Sequence, residues 1–426
     1  MPSRTKRFLL PLILIILIAA CASITDEPTE PPASATPQPT PTEGSAAIAT
    51  PSTRALTLWV APAFAPNPET PAGMLFANHL DEFEAQYSGV NIQVRIKSRS
   101  GPGGLLETLT AAELAAPSAL PDLVMLEPYA LSQAAAAGLL VPLDGSIDIP
   151  AEPEWYPYAL SALRFDSETI GMPFASETNI LAFRTDLYPS APRRIETLLA
   201  EGHTFQFPAG DPDAQFTLAQ YLAFVGTLTN TEGETYIDAE RLTEVLTFYQ
   251  TAIEANVLPL TVRQWTDTTQ TWSEIQSNRT GSAVVPLSLF ILEHDPDRLG
   301  GAPLPTSTES GIALANTWSW GLVAKSTETG DLQIALLTHL MDPAFLGPWT
   351  QALGLLPPNS ATLASWTEGS DSALASSLVT VTRPLPPRSN RVPVAAAFLE
   401  AVEAVLTETL SPAEAAQAAA DALSTP

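Results

Sequence analysis

The residues able to recognise or transform another molecule are unevenly supplied in this chain. Among 426 residues there are 46 Asp and Glu against 19 Lys and Arg, with eight Trp, four His and one Cys. A single cysteine excludes an internal disulfide and any cysteine-rich metal site. Four scattered histidines offer little for zinc chemistry. The run Glu293-His294-Asp295-Pro296-Asp297 places metal-ligating residue types in a row, but neighbours in a Pro-containing loop rarely converge on one ion. No G-x-S-x-G elbow marks a nucleophilic serine. The GPGG at 101–104 lacks the Lys and Ser/Thr of a phosphate loop and reads as a turn. No pair of acids stands out by spacing as a glycoside-hydrolysing couple. No catalytic group, metal or cofactor is therefore assigned. The acidic excess also argues against nucleic acid, whose phosphates need Lys and Arg to neutralise them.

What remains is recognition chemistry. Flat aromatic faces suit the apolar C–H surface of a sugar ring, and carboxylates or amides pair with its hydroxyls. Glu127-Pro128-Tyr129 follows the apolar run LVML (123–126), at the carboxyl end of a buried strand, where α/β clefts form. Trp318 and Trp320 lie two apart, hence on one face of a strand, where core packing is the ordinary role. Trp265 and Trp272 lie seven apart. Packing is the expected role of Trp272, whereas Trp265 precedes the helix and is placed to overhang a cleft. Trp59 ends the first strand of the body, facing away from Leu58 and Val60.

These residues must be carried by an exported body. Arg4, Lys6 and Arg7 precede an apolar run from Phe8 to Ala20, thirteen residues that are too few to span a membrane. The run ends in Ile18-Ala19-Ala20-Cys21, which resembles the bacterial lipobox. That resemblance implies cleavage before Cys21 and a diacylglyceryl group on its thiol, so that the protein is anchored by lipid to the outer face of a bacterial cell membrane. Without residues 1–20 the chain has 406 residues, 16 basic and 46 acidic, for a formal charge of −30. Residues 21–53 are rich in Pro, Thr, Ser and Ala without apolar periodicity, and read as a disordered stalk.

The body alternates. ALTLWV (55–60) reads as a buried strand, Phe76, Leu80, Phe83 and Tyr87 as a helix face, and Val90, Ile92, Val94 and Ile96 as an alternating strand. LVML, ILAFR (180–184), SAVVP (282–286) and WGLVA (320–324) add strands; 213–228, 239–255 and 393–409 add helices. Strand–helix alternation predicts an α/β fold, with a mostly parallel sheet covered by helices. The length allows two or three domains, and no period of 20–50 residues suggests a repeat.

The order of these segments resembles the extracellular solute-binding proteins of ABC importers, in the carbohydrate-binding branch that includes maltose-binding protein. The resemblance covers about 54–423. It is carried by LTLWV, PDLVMLEPYALSQAAAAGLLVPLD (121–144), IGMPFASETNILAFRTDLY (170–188), TGSAVV (280–285), NTWSWGLVAKST (316–327) and GLLPPN (354–359). Phe183 stands where Tyr is usual, and Thr280-Gly281-Ser282 lacks the usual Lys. The resemblance implies two α/β lobes joined by a hinge, lobe one being 54–173 plus 311–375 and lobe two 174–310 plus 376–426. It implies a ligand cleft between the lobes, contacted by Trp59, Glu127, Tyr129 and the Trp318–Trp320 strand. Gln215 and Phe216, opening a lobe-two helix, and Phe290, after SAVVP, fall where the family often contacts ligand. The expected function is non-catalytic capture of a sugar or oligosaccharide by a monomer, with delivery to an ABC permease. Two rivals stay open: a surface carbohydrate-processing hydrolase, and the same fold binding a cationic or peptide-like solute such as a polyamine.

Overall fold

The computed structural model describes residues 54–161, 163–325 and 330–424. The export signal, Cys21 and the stalk lie outside them. The chain divides after residue 50, and the fold below is that of the unit 51–426.

Two sheets organise the body. In the first, Arg54–Val60 lies between Val90–Ile96 and Leu123–Leu126, parallel to both, with Arg54 opposite Val90 and Leu58 opposite Leu123. Leu123–Leu126 is buried at all four positions, as a parallel strand covered on both faces must be. Ala313–Leu322 joins the other side antiparallel and carries Thr382–Pro384 beyond it. Met172–Glu177 also pairs with Ala313–Leu322, on its first-sheet half. The helix Pro71–Gln86 covers this sheet; Thr70 caps it by accepting from the Gly73 amide (3.1 Å), and Phe76, Leu80 and Phe83 face the core.

The second sheet runs Leu299–Ala302, Asn179–Arg184, Ser282–Pro286, Phe205–Gln206. It is mostly antiparallel, which corrects the expectation of a mostly parallel architecture: only Phe205–Gln206 pairs in parallel. The reason is topological. Asn179–Arg184 enters directly from the first sheet, and Ser282–Pro286 returns to the same end, so that Pro286 faces Asn179. Period-two alternation splits this sheet between two cores. Leu181, Phe183 and Val284 join the helices Gln215–Val225, Ala239–Glu254 and Arg388–Leu406. Ile180, Ala182, Ala283 and Val285 face Leu356, Trp366, Leu374 and Leu378. The same core holds Tyr158, Ala159, Ala313 and Ala315, so the buried residues of 356–379 pack between the second sheet and the start of Ala313–Leu322.

The chain passes between the sheets three times: at Glu177–Asn179, between Ala302 and Ala313, and after Pro384. The crossings are tied together. Thr178 donates its hydroxyl to the Leu314 carbonyl (2.9 Å), and the Leu385 amide donates to that of Ala315 (2.9 Å).

Candidate functional site

Strand ends and crossings bring five side chains together. Glu127 is the first residue beyond Leu123–Leu126, where the strand stops because Pro128 opens the helix Pro128–Ala136. Arg99 stands just after Val90–Ile96, on a loop closed by the Leu105 amide donating to Ser98 (2.9 Å). That loop turns through Gly101 and Gly103, both at positive φ, which glycine adopts without steric cost. Glu177 ends its strand at the first crossing, and Asn316 is its register partner.

The Arg99 guanidinium donates to both oxygens of Glu177 (2.9 and 2.7 Å) and to Glu127. Asn316 also donates to Glu127, and the Trp318 indole N–H to Glu177 (3.2 Å). Arg99 lies over the Trp318 ring, 5.2 Å from its centroid. Burial opposes the charge of Arg99, but the hydrogen bond to Glu127 and the charges of both carboxylates outweigh it and raise its pKa. One cation against two carboxylates leaves the cluster with a charge of −1. Two carboxylates offer more acceptor positions than one guanidinium fills.

Tyr129, 49% exposed, lies beside this cluster in sequence, and Arg388 covers its ring at 5.1 Å. Across the first crossing, Asn179 donates to Gln215 (3.1 Å) and accepts from the Thr268 hydroxyl (3.3 Å). Gln215 is oriented by Asp211, whose carboxylate accepts from the amides of Gln215 and Asp213 (both 3.0 Å). Burial pushes the Asp211 carboxyl upward despite these bonds. Trp265 is half-buried against the lobe-two core. Its carbonyl accepts from Gly210 (2.9 Å), where a Cβ would come within 2.9 Å of two backbone oxygens.

Of the residues named from sequence, the structure therefore leaves Glu127, Tyr129, Gln215 and Trp265 accessible near the crossings. The other five aromatics are buried, and each has a packing reason. Trp318 is 2% exposed, one face under Arg99 and its edge against Phe64 (5.1 Å). Trp320 packs on Phe174 (5.5 Å), and Trp59 lies in the same core with Lys97 5.0 Å from its ring. Phe216 is enclosed by Phe205, Phe207 and Tyr249. Phe290 lies between Trp272 (6.3 Å) and His294 (4.2 Å). None of these five rings leaves a face open at the crossings in this conformation. Trp272 is buried, with its indole N–H on Glu293 (2.8 Å).

Arg99, Glu177, Asn316, Asn179 and Thr268 were not singled out by sequence. Their one legible sign is a polar residue ending an apolar run, as Glu177 ends GMPFAS. Among the described residues, the only trio spaced for a metal ion is His79, Glu82 and His339, away from this cluster. Their imidazoles are stacked at 3.7 Å and 6°. Two parallel rings cannot both aim in-plane lone pairs at one ion, so this geometry does not support a metal centre.

A sequence profile of the bacterial extracellular solute-binding proteins matches residues 78–373. No curated protein matches the chain. Several solved structures share its fold at low identity. The sugar-binding protein MalE of Xanthomonas citri superposes with a TM-score of 0.71 at 18% identity, covering 87% of this chain and 97% of its own. The cyclic alpha-maltosyl-1,6-maltose binding protein of Arthrobacter globiformis gives 0.70 at 18%, with the same coverage. The GacH receptor of Streptomyces glaucescens, solved unliganded and with acarbose, gives 0.66 at 17%, again covering 87% and 97%.

Proposed function

Because the chain belongs to the bacterial extracellular solute-binding proteins, we propose that it captures a sugar or oligosaccharide between its two lobes and delivers it to an ABC importer. The observation that carries this reading is the convergence of Glu127, Glu177 and Asn316, with the half-exposed Tyr129 beside them, where the chain crosses between sheets. Sugar hydroxyls both donate and accept, so they suit carboxylates, amides and the Arg99 guanidinium together. Tyr129 and Trp265 offer apolar faces to the ring carbons. Gln215 and Asn179 supply the lobe-two side. Closure by rotation about the three crossings completes the site. We set the lobe boundaries at the crossings, so that the 54–173 plus 311–375 and 174–310 plus 376–426 expected from sequence become 54–177 with 313–355 and 178–312 with 388–424. The export signal and a lipid on Cys21 hold the monomer at the outer membrane face, where captured solute meets the permease. Sugar-binding neighbours of the same fold support the ligand class.

A thermal-shift screen of the full chain against mono- and oligosaccharides, amino acids and polyamines tests the reading. A ligand at 100 times its Kd adds about 2.7 kcal/mol. Stabilisation by polyamines alone would overturn it in favour of a cationic solute, a reading to which the residual −1 charge around Arg99 is congenial. Replacing Cys21 with Ser should move the protein from the detergent phase to the aqueous phase. Unchanged partitioning would remove the lipid anchor from the proposal.

A further inference from the structure

A cavity of about 550 Å³ opens beside the edge strand Leu299–Ala302. It borders Phe290 and Leu299, which belong to the core on one face of the second sheet. Phe216 belongs to the core on the other face. The volume falls within the range of small-molecule sites. Pro192, Phe290, Leu299 and Leu374 supply apolar wall.

The polar end is His294 and Asp371. The His294 side chain is 7% exposed and stacks on Phe290 at 4.2 Å and 14°, which fixes the ring plane. Its Nδ1 is 2.7 Å from the Phe290 carbonyl oxygen. A carbonyl only accepts, so Nδ1 carries the hydrogen, and Nε2 of the neutral ring is a lone pair. That Nε2 stands 3.7 Å from Asp371 Oδ1, too far for a hydrogen bond. Oδ1 is itself buried and accepts no hydrogen bond from the described residues. With the ring neutral, two acceptors thus confront each other across a gap that neither can close. A buried acceptor left without a donor is unfavourable, because its bond to water is lost and not replaced. A partner with several N–H donors on one atom satisfies both.

We propose that this cavity is a second ligand site, separate from the cleft, and that it takes a small primary amine with an apolar body. The ammonium donates one hydrogen to His294 Nε2 and another to Asp371 Oδ1, and the body lies on the Leu299 and Leu374 wall. Charge agrees. With His294 neutral, Asp371, Glu309 and Arg193 give the lining a charge of −1, which one ammonium cancels.

The test is an NMR titration of the full chain with cyclohexylammonium, following the His294 ring nitrogens. Cyclohexanol and tetramethylammonium serve as controls, the first lacking charge and the second lacking N–H. The expected result is saturable binding that shifts Nε2, at least tenfold tighter than either control. Asp371→Asn and His294→Phe, the latter keeping a ring on Phe290, should each weaken it at least tenfold. Equal binding of tetramethylammonium overturns the proposal, because attraction to acid alone would explain it. Non-saturable binding overturns it too, since the pair is then closed by water or by a proton on Nε2. The control comparison in the unaltered protein decides the matter even if a variant fails to fold.

Discussion

Tyr129 leaves about half its surface to solvent and Trp318 almost none, so removing each ring has a different consequence. Tyr129→Ala should weaken the best sugar by about fivefold or more, about 1 kcal/mol, the low end of an aromatic contact with its area burial. Its melting temperature should hardly move. Trp318→Ala removes a buried ring and should destabilise the fold by about 3–5 kcal/mol. Any loss of affinity there arrives with a fall in melting temperature. Calorimetric titration paired with thermal unfolding separates the two; a Tyr129→Ala protein that binds sugar as well as the parent removes the ring from the site. Glu177→Gln is informative in a third way. The amide replaces one of the two Glu177 oxygens that receive Arg99 and changes the cluster from −1 to neutral. Affinity for a neutral sugar should fall severalfold, and any affinity for a cation should fall further. A sugar affinity left untouched while a cation loses affinity would point to a cationic ligand.

Helix junctions carry their own pH dependence. The helices Pro71–Gln86 and Asp331–Leu340 are clamped by His79 and His339, each with Nε2 2.8 Å from the other's backbone carbonyl. Both Nε2 atoms must therefore be donors. Phe345 covers the outer face of His79 at 3.8 Å, and Glu82 is the carboxylate facing Nδ1, at 3.4 Å. Burial holds the His79 imidazole below its ordinary 6.5, outweighing the hydrogen bond to the His339 carbonyl, which raises it; the charge of the His339 ring acts with burial and Glu82 against it. A lowered histidine stabilises the fold above its unfolded value, and that stability is lost as pH falls below it. The melting temperature should thus decline from pH 6.5 downward, before carboxylate titration dominates. His79→Phe should flatten that stretch of the curve, and an unchanged slope in the variant would clear His79 of the effect. At this scale much was legible. Leu123–Leu126 and Ser282–Pro286 read as strands because buried strands are short apolar runs. Met172–Glu177 escaped because Pro173 interrupts it, which is tolerated because the register with Ala313–Leu322 shifts between Pro173 and Ala175. Antiparallel pairing in the second sheet escaped because strand direction depends on partners a hundred residues away. Glu127 and Tyr129 were legible as the end of LVML. Arg99 and Glu177 were not, since they meet only through the register that sets Asn316 opposite Glu177. Phe216 and Phe290 failed the other way: a large ring at a helix start is claimed first by the core.

For the whole molecule, the sign of the charge makes capture and closure testable together. The chain carries a formal charge of −27, so drawing two acidic lobes together is opposed by repulsion that salt screens. The Debye length falls from about 30 Å at 0.01 M to about 8 Å at 0.15 M. A neutral sugar offers no charge to compensate, so its affinity should stay level or rise slightly over that range. A cationic solute attracted to the same acids should lose affinity steeply. Closure itself should appear as a smaller radius of gyration on saturation, read by small-angle scattering, with the forward scattering unchanged because no oligomer forms. The three crossings limit how the lobes move, since Thr178 is fixed to Leu314 and Leu385 to Ala315. Rotation must therefore be taken up in the few residues between those bonds and the cleft, beginning with Glu177 and Asn316, the residues that the proposal sets against the ligand. Binding and closure are then one step: Glu177→Gln should reduce compaction at a given sugar concentration in proportion to its loss of affinity. Full compaction at saturation with weakened affinity fits this coupling. A saturated variant that stays open would place the hinge elsewhere.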